Sequence, residues 1–379
     1  MTDTPVGRTS WARPPTPYEL FCDEQGVPIY RGEVGIRDVR EVKLGDWARM
    51  GGRGAILDLD GTGGKHGMHL VEVPPGGALE PERHLYEEEF FVVEGRGSTE
   101  IWVDGVEGKR VFEWGPNSIF APPLNTWHRV VNATMQPALL IVVSNAPPIM
   151  ELYRNQDFIF NTSYHFKDRY DASDSYFDAW DELGKNELSL RALYGGALVP
   201  DSVGMELPLD GQRGHGHRHT GLRMSGNKLH GFIAEYAPGR YSKTHAHPPG
   251  PILVCLKGAG YTMCWPKSAG TTPWQNGNED QVKITEYIPG GVVSAAPGDE
   301  DWFHGHFGVG GLRVLAILQG HPIPTVGPPG AEEISVNRDI RQGGNTIEYR
   351  DEDPMVRKIF AEKLAKIGAK IDMPDELYQ

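Results

Sequence analysis

Two histidines separated by a single residue, His245 and His247, are the strongest candidates for chemistry in this sequence. Residues two apart in a β-strand project from the same face, so both imidazoles would point into one space. The later segment WFHGHF supplies His304 and His306 at the start of another β-rich run. Three imidazoles that converge in this way would form a donor set suited to a divalent transition metal.

A second potential ligand set lies in the first half of the chain and repeats the same spacing. After Gly239 come His245, His247, Pro251 and Gly258. After Gly76, at the same four offsets, come Glu82, His84, Glu88 and Gly95. A later β-rich run then supplies His128, in PPLNTWHRVVN. Agreement at four consecutive offsets favours an internal repeat of one structural unit.

The elements that must position these residues are short β-strands. Runs such as FFVVEGRGSTEIWV and PILVCLKGAGYTMCW recur with turns between them, which predicts closed antiparallel barrels or sandwiches. The 48 glycines and 30 prolines would interrupt long helices. Some helical periodicity begins at Asp174, and the clearest helix is the tail from Asp353 to Gly368. Its apolar residues recur at helical spacing: Val356, Ile359, Phe360, Leu364 and Ile367.

Both repeated stretches resemble the cupin family, whose first motif runs Gly, His-x-His, Glu, Gly and whose second has a proline-rich turn, a His and an Asn. Gly76–Gly95 with Pro122–Asn132 looks like one copy, and Gly239–Gly258 with Pro297–Gly308 looks like another. The resemblance implies an all-β bicupin, in which one polypeptide forms two cupin-type β-barrels (double-stranded β-helices) with a few peripheral helices.

The implied organisation has five parts. They are an N-terminal extension (1–60), a first cupin domain (61–150), a linker with a helical segment (151–222), a second cupin domain (223–325) and a C-terminal tail with a helix (326–379).

The chain departs from the cupin pattern in each copy. Glu82 stands where the first motif histidine belongs, whereas His84, Glu88 and His128 match. In the second copy both early histidines match, and Pro251 replaces the glutamate. The metal ligands implied by the resemblance are therefore His84, Glu88 and His128 in the first copy and His245, His247 and His304 in the second. Glu82 and His306 rank lower; the spacing favours His304 over His306, because His128 to Asn132 parallels His304 to Gly308.

No acid or base for catalysis stands out, and three residues remain candidates. Glu82 and Glu88 could transfer protons, and Tyr261 follows a motif glycine on a predicted strand from which it could line the cavity. The His-rich run HGHRHTGLR, with His215, His217 and His219, is interpreted as a structural or substrate-facing loop and not as a metal site.

Three neutral imidazoles would leave positions open on a six-coordinate ion and leave its charge uncompensated, which favours anionic or enolisable chelating substrates. The resemblance to metal-dependent cupin dioxygenases implies an iron(II) dioxygenase acting on a small chelating aromatic or enolisable substrate, with the second barrel as reactive centre. Zinc, manganese, nickel and copper are alternative ions. A non-redox lyase, decarboxylase, isomerase or hydrolase, and a non-catalytic bicupin that binds a small ligand, are alternative functions.

Composition narrows the class of partner. Lys and Arg total 37 against 51 Asp and Glu, a net charge of −14, which argues against nucleic acid or an anionic membrane as a bulk partner. Three scattered cysteines, without an apolar leader or a membrane span, lead us to expect a cytoplasmic protein without a disulfide framework. We also expect a small-molecule substrate, and a homodimer formed through the N-terminal arm and the C-terminal helix.

Overall fold

Strands dominate the described chain, and helices are few and short. The computed structural model describes residues 14–62, 64–173, 176–177, 184–185, 192–298, 300–318 and 338–379. The α-helices in these ranges are α1 (Pro17–Glu24), α2 (Ala146–Tyr153), α3 (Gln156–Asn161) and α4 (Pro354–Ala365). None of them has the length and apolar character needed to cross a bilayer. The predicted all-β fold class is confirmed.

The first barrel is built by the N-terminal half of the chain. The strands of this half are β1 (Ile29–Arg31), β2 (Gly35–Ile36), β3 (Gly45–Trp47), β4 (Gly52–Asp58), β5 (Gly67–Val73), β6 (Glu88–Glu94), β7 (Gly97–Trp102), β8 (Arg110–Trp114), β9 (Ile119–Phe120), β10 (Trp127–Val131) and β11 (Ala138–Ser144). All of them belong to the first barrel except β2, which joins the second. One sheet has the order β1–β4–β5–β11–β6–β9, with β3 beside β4, and the facing sheet has the order β10–β7–β8. Side chains of both sheets, including Phe90 and Val130, meet in one buried core.

The second barrel is built by the C-terminal half. The strands of this half are β12 (Gly184–Lys185), β13 (Ala192–Gly196), β14 (Leu198–Val199), β15 (Arg218–Met224), β16 (His230–Tyr236), β17 (Arg240–Tyr241), β18 (Thr244–His247), β19 (Ile252–Pro266), β20 (Lys283–Tyr287), β21 (Val292–Ser294), β22 (Trp302–Leu318) and β23 (Thr346–Ile347). The long strands β19 and β22 pair antiparallel through two register shifts. The short β18 pairs with β22 so that His245 lies directly opposite His304.

The two barrels share a core and exchange strands. A single cluster of buried apolar residues contains Phe91 and Ile141 of the first barrel and Val254 and Leu315 of the second. The strand β2 pairs with β21, and β14 pairs with β9. The segments interpreted from sequence as an extension and a linker therefore supply strands to both barrels.

A polar contact also crosses between the barrels. Glu87 of the first barrel accepts hydrogen bonds from the backbone N–H groups of Lys228, at 2.9 Å, and Leu229, at 2.7 Å. A buried carboxylate that receives backbone donors in this way ties the first barrel to the chain segment entering β16.

The predicted C-terminal helix is confirmed as α4. The Asp353 carboxylate caps it by accepting a hydrogen bond from the Met355 N–H, and Pro354 occupies its first turn. Val356, Phe360 and Leu364 are buried against the second barrel. Ile367 was expected on this apolar face but is largely exposed, because the helix ends before it. The helical segment predicted from Asp174 lies mostly outside the described residues, and its described end, Ala192–Gly196, is strand β13.

Beneath α4 lies a buried carboxyl group, that of Glu352. The Tyr241 hydroxyl donates a hydrogen bond to its Oε1 at 2.5 Å, and its Oε2 is buried without a hydrogen bond from any described residue. Burial raises the pKa of Glu352 to about 8, although the Tyr241 hydrogen bond opposes this shift. The folded protein therefore holds a proton on Glu352 at pH values where the unfolded chain releases it.

We expect the free energy of unfolding to decrease as the pH rises from about 5 to 8, because over this range the folded state binds the Glu352 proton more tightly than the unfolded state does. The slope from this one group approaches roughly 1.4 kcal/mol per pH unit. Glu352→Gln removes the titrating proton and should make the free energy of unfolding depend less on pH, as measured by urea unfolding at several pH values. Glu362→Gln, at an exposed position of α4, is the matched control. Parallel curves for the wild type and Glu352→Gln would contradict this assignment.

Candidate metal centres

Three imidazoles converge inside the second barrel. His245 and His247 share a face of β18, and His304 reaches the same point from β22. One nitrogen of each ring lies within 4.8 Å of the others. The centroid of the His304 ring is 4.2 Å from that of His245 and 4.4 Å from that of His247. A divalent ion needs nitrogen donors about 2 Å away, so this spacing suits a common cation at the centre of the three.

The backbone sets the orientation of each of these rings. The Nδ1 atoms of His245, His247 and His304 lie 3.2, 2.8 and 3.4 Å from the carbonyl oxygens of Lys243, Pro248 and Trp302, respectively. A carbonyl can only accept, so each Nδ1 carries the hydrogen and donates it. The lone pair of each ring is then on Nε2, where a metal can bind it.

Burial favours the neutral form of His245 and His304. It lowers the pKa of both rings well below the usual range, and the positive charge of Arg213 acts in the same direction. Neutral imidazole is the form that binds metal, so the protein presents these ligands ready to coordinate.

The neighbouring His306, ranked below His304, does not join this cluster. Its Nδ1 lies 3.0 Å from the hydroxyl of Thr262, and that hydroxyl lies 3.0 Å from the hydroxyl of Tyr287. Burial lowers the pKa of His306 to about 3. The His306 ring is therefore buried beside His304, 5.3 Å away between centroids, as a neutral residue outside the ligand set.

A second cluster occupies the first barrel and contains two carboxylates. One atom each of Glu82, His84, Glu88 and His128 lies within 4.8 Å of the others. His84 Nε2 is 3.2 Å from Glu88 Oε2, and His128 Nε2 is 3.7 Å from both Glu82 Oε1 and Glu88 Oε2. The carbonyls of Tyr86 and Thr126 accept from His84 Nδ1 and His128 Nδ1, as in the second barrel. His128 Nε2 is buried and receives no hydrogen bond from any residue that the structure describes, as expected for a metal-ligating nitrogen.

Arg49 balances the charge of Glu82. Its Nη1 donates to Glu82 Oε2 at 2.6 Å, and its Nε donates to Gln25 at 2.9 Å. Although burial opposes the shift, Arg49 holds the pKa of Glu82 well below its usual range. The guanidinium also lies over the rings of Phe21 and Phe160, 5.5 and 5.8 Å from their centroids. The residues present suit a divalent ion bound by two imidazoles and up to two carboxylates.

Two expectations from the sequence need correction. Tyr261 does not line the interior, because it faces the opposite side of β19 from the cluster and stacks on Phe307 with 4.5 Å between ring centroids, under α4. The run from His215 to His219 is not all loop, because β15 begins at Arg218, and both His217 and His219 are buried. The His217 ring stacks on Tyr236 at 4.9 Å. His215 is half-buried.

Sequence reasoning missed Arg49, whose guanidinium contacts Glu82 of the first cluster. Arg49 lies outside the repeated motifs. It could have been anticipated, because a glutamate in place of a buried histidine requires a compensating cation somewhere in the fold.

Comparisons with known proteins agree with this architecture. Residues 69–144 match the family model described as a cupin domain. No curated protein sequence gives a match to the chain. Among solved structures, the coconut allergen cocosin is similar with a TM-score of 0.48 and 12% identity, covering 75% of this chain and 84% of cocosin.

Two oxalate decarboxylases are similar to the same extent. For a deletion mutant of the Bacillus subtilis enzyme the TM-score is 0.45 at 12% identity, covering 76% of this chain and 77% of that one. For the Lactobacillus farciminis enzyme in complex with formate the TM-score is 0.46 at 11% identity, covering 75% of this chain and 85% of that one. At this level of similarity no residue role is transferred from these proteins to this chain.

Replacing one ligand should empty the second centre selectively. We expect His304→Ala to lower the affinity of the second barrel for a divalent ion at least about 100-fold, because the substitution removes one of only three nitrogen ligands. His306→Ala should leave this affinity unchanged. Isothermal titration of metal-depleted protein with zinc, with circular dichroism to check folding, provides the measurement. Equal loss in both variants would mean that His306 is also a ligand.

Proposed function

We propose that this chain, a member of the cupin superfamily with two cupin barrels in one polypeptide, is a metal-dependent enzyme. Its reactive ion is held by His245, His247 and His304. The observation that supports this assignment is the convergence of three Nε2 lone pairs, each fixed by a backbone acceptor on Nδ1. A donor set of three ring nitrogens leaves positions of a six-coordinate ion for substrate.

The reaction that suits this donor set best is oxygenation of a small chelating substrate. Iron(II) with open coordination positions would bring an aromatic or enolisable chelator and O₂ together. The protein's own residues would hold the ion, and their burial excludes bulk water and favours the neutral forms of His245 and His304. No carboxylate of the described residues belongs to this cluster, so the chemistry proposed needs no protein carboxylic acid.

A non-redox reaction would use the ion as a Lewis acid and would need a protein group to move a proton. The candidates from the sequence, Glu82 and Glu88, lie in the first barrel, where Glu82 is paired with Arg49 and Glu88 with His84. The pairing withdraws both from proton transfer in the second barrel. Decarboxylase, isomerase, lyase or hydrolase activity is therefore the second choice, and a non-catalytic ligand-binding role is the third.

The first barrel is assigned a supporting centre. Adding two carboxylates to two imidazoles shifts the metal preference of this set towards manganese or magnesium. Its ligand Glu82 is covered by Arg49, whose guanidinium lies over the rings of Phe21 in α1 and Phe160 in α3. Because Arg49 covers this ligand, we assign the ion of the first barrel a structural role, in which it stabilises the barrel and does not bind substrate.

The test combines metal analysis with oxygen uptake. We expect protein purified from cells and reloaded with iron(II) to consume O₂ with one or more members of a panel of catechols, hydroxybenzoates and diketones. His247→Ala should lose this activity by at least about 100-fold, because the ion is no longer held. His230→Ala, a histidine of β16 outside both clusters, is the control.

Other outcomes would replace the proposal. Turnover without O₂ consumption, supported equally by zinc or manganese, would establish the non-redox alternative. Protein that carries no metal and whose melting temperature is unchanged by chelators would indicate the non-catalytic role.

A further inference from the structure

A row of directly opposed residues leads from the metal ligands of the second barrel to an exposed cation. His245 of β18 lies opposite His304 of β22, which in turn lies opposite Cys264 of β19. Cys264 lies opposite Lys283 of β20. Residues directly opposite one another in antiparallel strands project from the same face of the sheet. Lys283 therefore shares the face that carries the metal ligands, the ligand face, and its backbone is about 10 Å from that of His304 across two strand spacings.

The side chain of Lys283 lies at the solvent-exposed end of this row. Lys283 is exposed, and its Nζ lies over the ring of Trp302, 5.2 Å from the ring centroid. Trp302 lies directly opposite His247, and its indole is buried together with Cys264 and Ala296. The contact between cation and ring holds the ammonium group on the ligand face, where a molecule that approaches the ion would meet it.

Lys283 has no ion-pair partner among the residues that the structure describes. Two acidic residues just before β22 have other partners. Glu300 accepts a hydrogen bond from the Ser268 hydroxyl at 3.0 Å, and Asp301 Oδ2 lies 3.9 Å from Lys267 Nζ. The chain as a whole has a net charge of −14 and repels anions, so an anionic molecule needs a local cation to reach the ion.

The first barrel carries a cation at the equivalent place, but there it is engaged by the chain itself. Its corresponding row consists of residues each directly opposite the next: Glu82, His128, Ile101 and Arg110. Arg110 Nε and Nη2 both donate to the carbonyl of Ala172, at 3.1 and 2.9 Å. Both barrels therefore place a cation at the same end of the ligand row, and in the second barrel that cation is open to solvent.

We propose that Lys283 binds a carboxylate group of the substrate of the second centre, at the end of the molecule remote from the ion. This inference rests on the proposed metal site and makes Lys283 a residue that determines its specificity. The substrate class is narrowed to chelators that carry a carboxylate in addition to the atoms that bind the ion. An exposed ammonium suits this role, because it is a point charge on a flexible stem and can follow the substituent of a small molecule.

The experiment compares two chelators that differ by one carboxylate, catechol and 3,4-dihydroxybenzoate, on the full chain loaded with zinc. Isothermal titration gives the ratio of their affinities, and zinc content and circular dichroism are measured in every variant. We expect Lys283→Gln to lower the ratio of 3,4-dihydroxybenzoate to catechol affinity about fivefold, the size of an exposed ion pair, and to leave catechol binding unchanged. Lys283→Arg, which keeps the charge, should retain the ratio of the wild type.

The matched control is Lys257→Gln, which removes the same charge at an exposed position of β19 and should leave the ratio unchanged. A ratio that is the same in Lys283→Gln and the wild type, or that falls equally in Lys257→Gln, overturns the carboxylate site while the metal site stands. Zinc-loaded protein that binds neither chelator would instead contradict the proposed function, and this inference with it.

If Lys283→Gln is misfolded, the wild type decides by its salt dependence. The ratio should fall as the salt concentration rises from roughly 0.05 to 0.5 M, because an exposed ion pair is screened. A ratio that stays constant over this range overturns the inference.

Discussion

Hydrogen bonds from imidazole Nδ1 atoms to nearby backbone carbonyls are the interaction on which both centres depend. His84 and His128 use it in the first barrel, and His245, His247 and His304 use it in the second. Each bond fixes a tautomer and a ring plane together, because the carbonyl accepts only from a protonated nitrogen. The interior of the second barrel consequently receives lone pairs, whereas in the first barrel His84 Nε2 also lies 3.2 Å from the Glu88 carboxylate and donates to it when no ion is bound. If a ligand strand bent away from its partner strand, both the histidine ligand and the carbonyl that orients its ring would be displaced. The rigidity of each metal site therefore depends on the rigidity of the sheet.

The barrels repeat one topology but differ in electrostatics. Two changes at equivalent positions separate them: Glu82 in the first barrel against His245 in the second, and Glu88 against Pro251. Glu82 brings a buried negative charge, and Arg49 donates a hydrogen bond to it while lying over aromatic rings. His245 adds no carboxylate, and no carboxylate of the described residues belongs to the second cluster. The first centre therefore contains two negative ligands, whereas the second contains only imidazole donors among the described residues.

Support for the ligand strands comes from beyond the barrels themselves. The edge of β18 is covered by the C-terminal strand β23, which pairs Thr346 with His245. The loop after β18 is held from the first barrel, because Gly250 N donates to the Gly61 carbonyl and Lys65 Nζ donates to the Pro249 carbonyl. Glu87 then joins the first barrel to the entry of β16. The candidate metal site of the second barrel is therefore supported partly by residues of the first.

What the sequence determined by itself was the repeat, the fold class and the ligand candidates, since strand parity and matched offsets are local properties of the chain. The choice of His304 over His306 also followed from spacing, and the structure brings His304 to the other two histidines. Only the tertiary structure decided which face of β19 carries Tyr261, that His217 and His219 are buried, and that Arg49 stands beside the first cluster. The physical reason is the distance along the chain over which each property is determined. The alternation of side chains between the two faces of a strand depends on neighbouring residues, whereas burial and charge balance depend on side chains from distant segments.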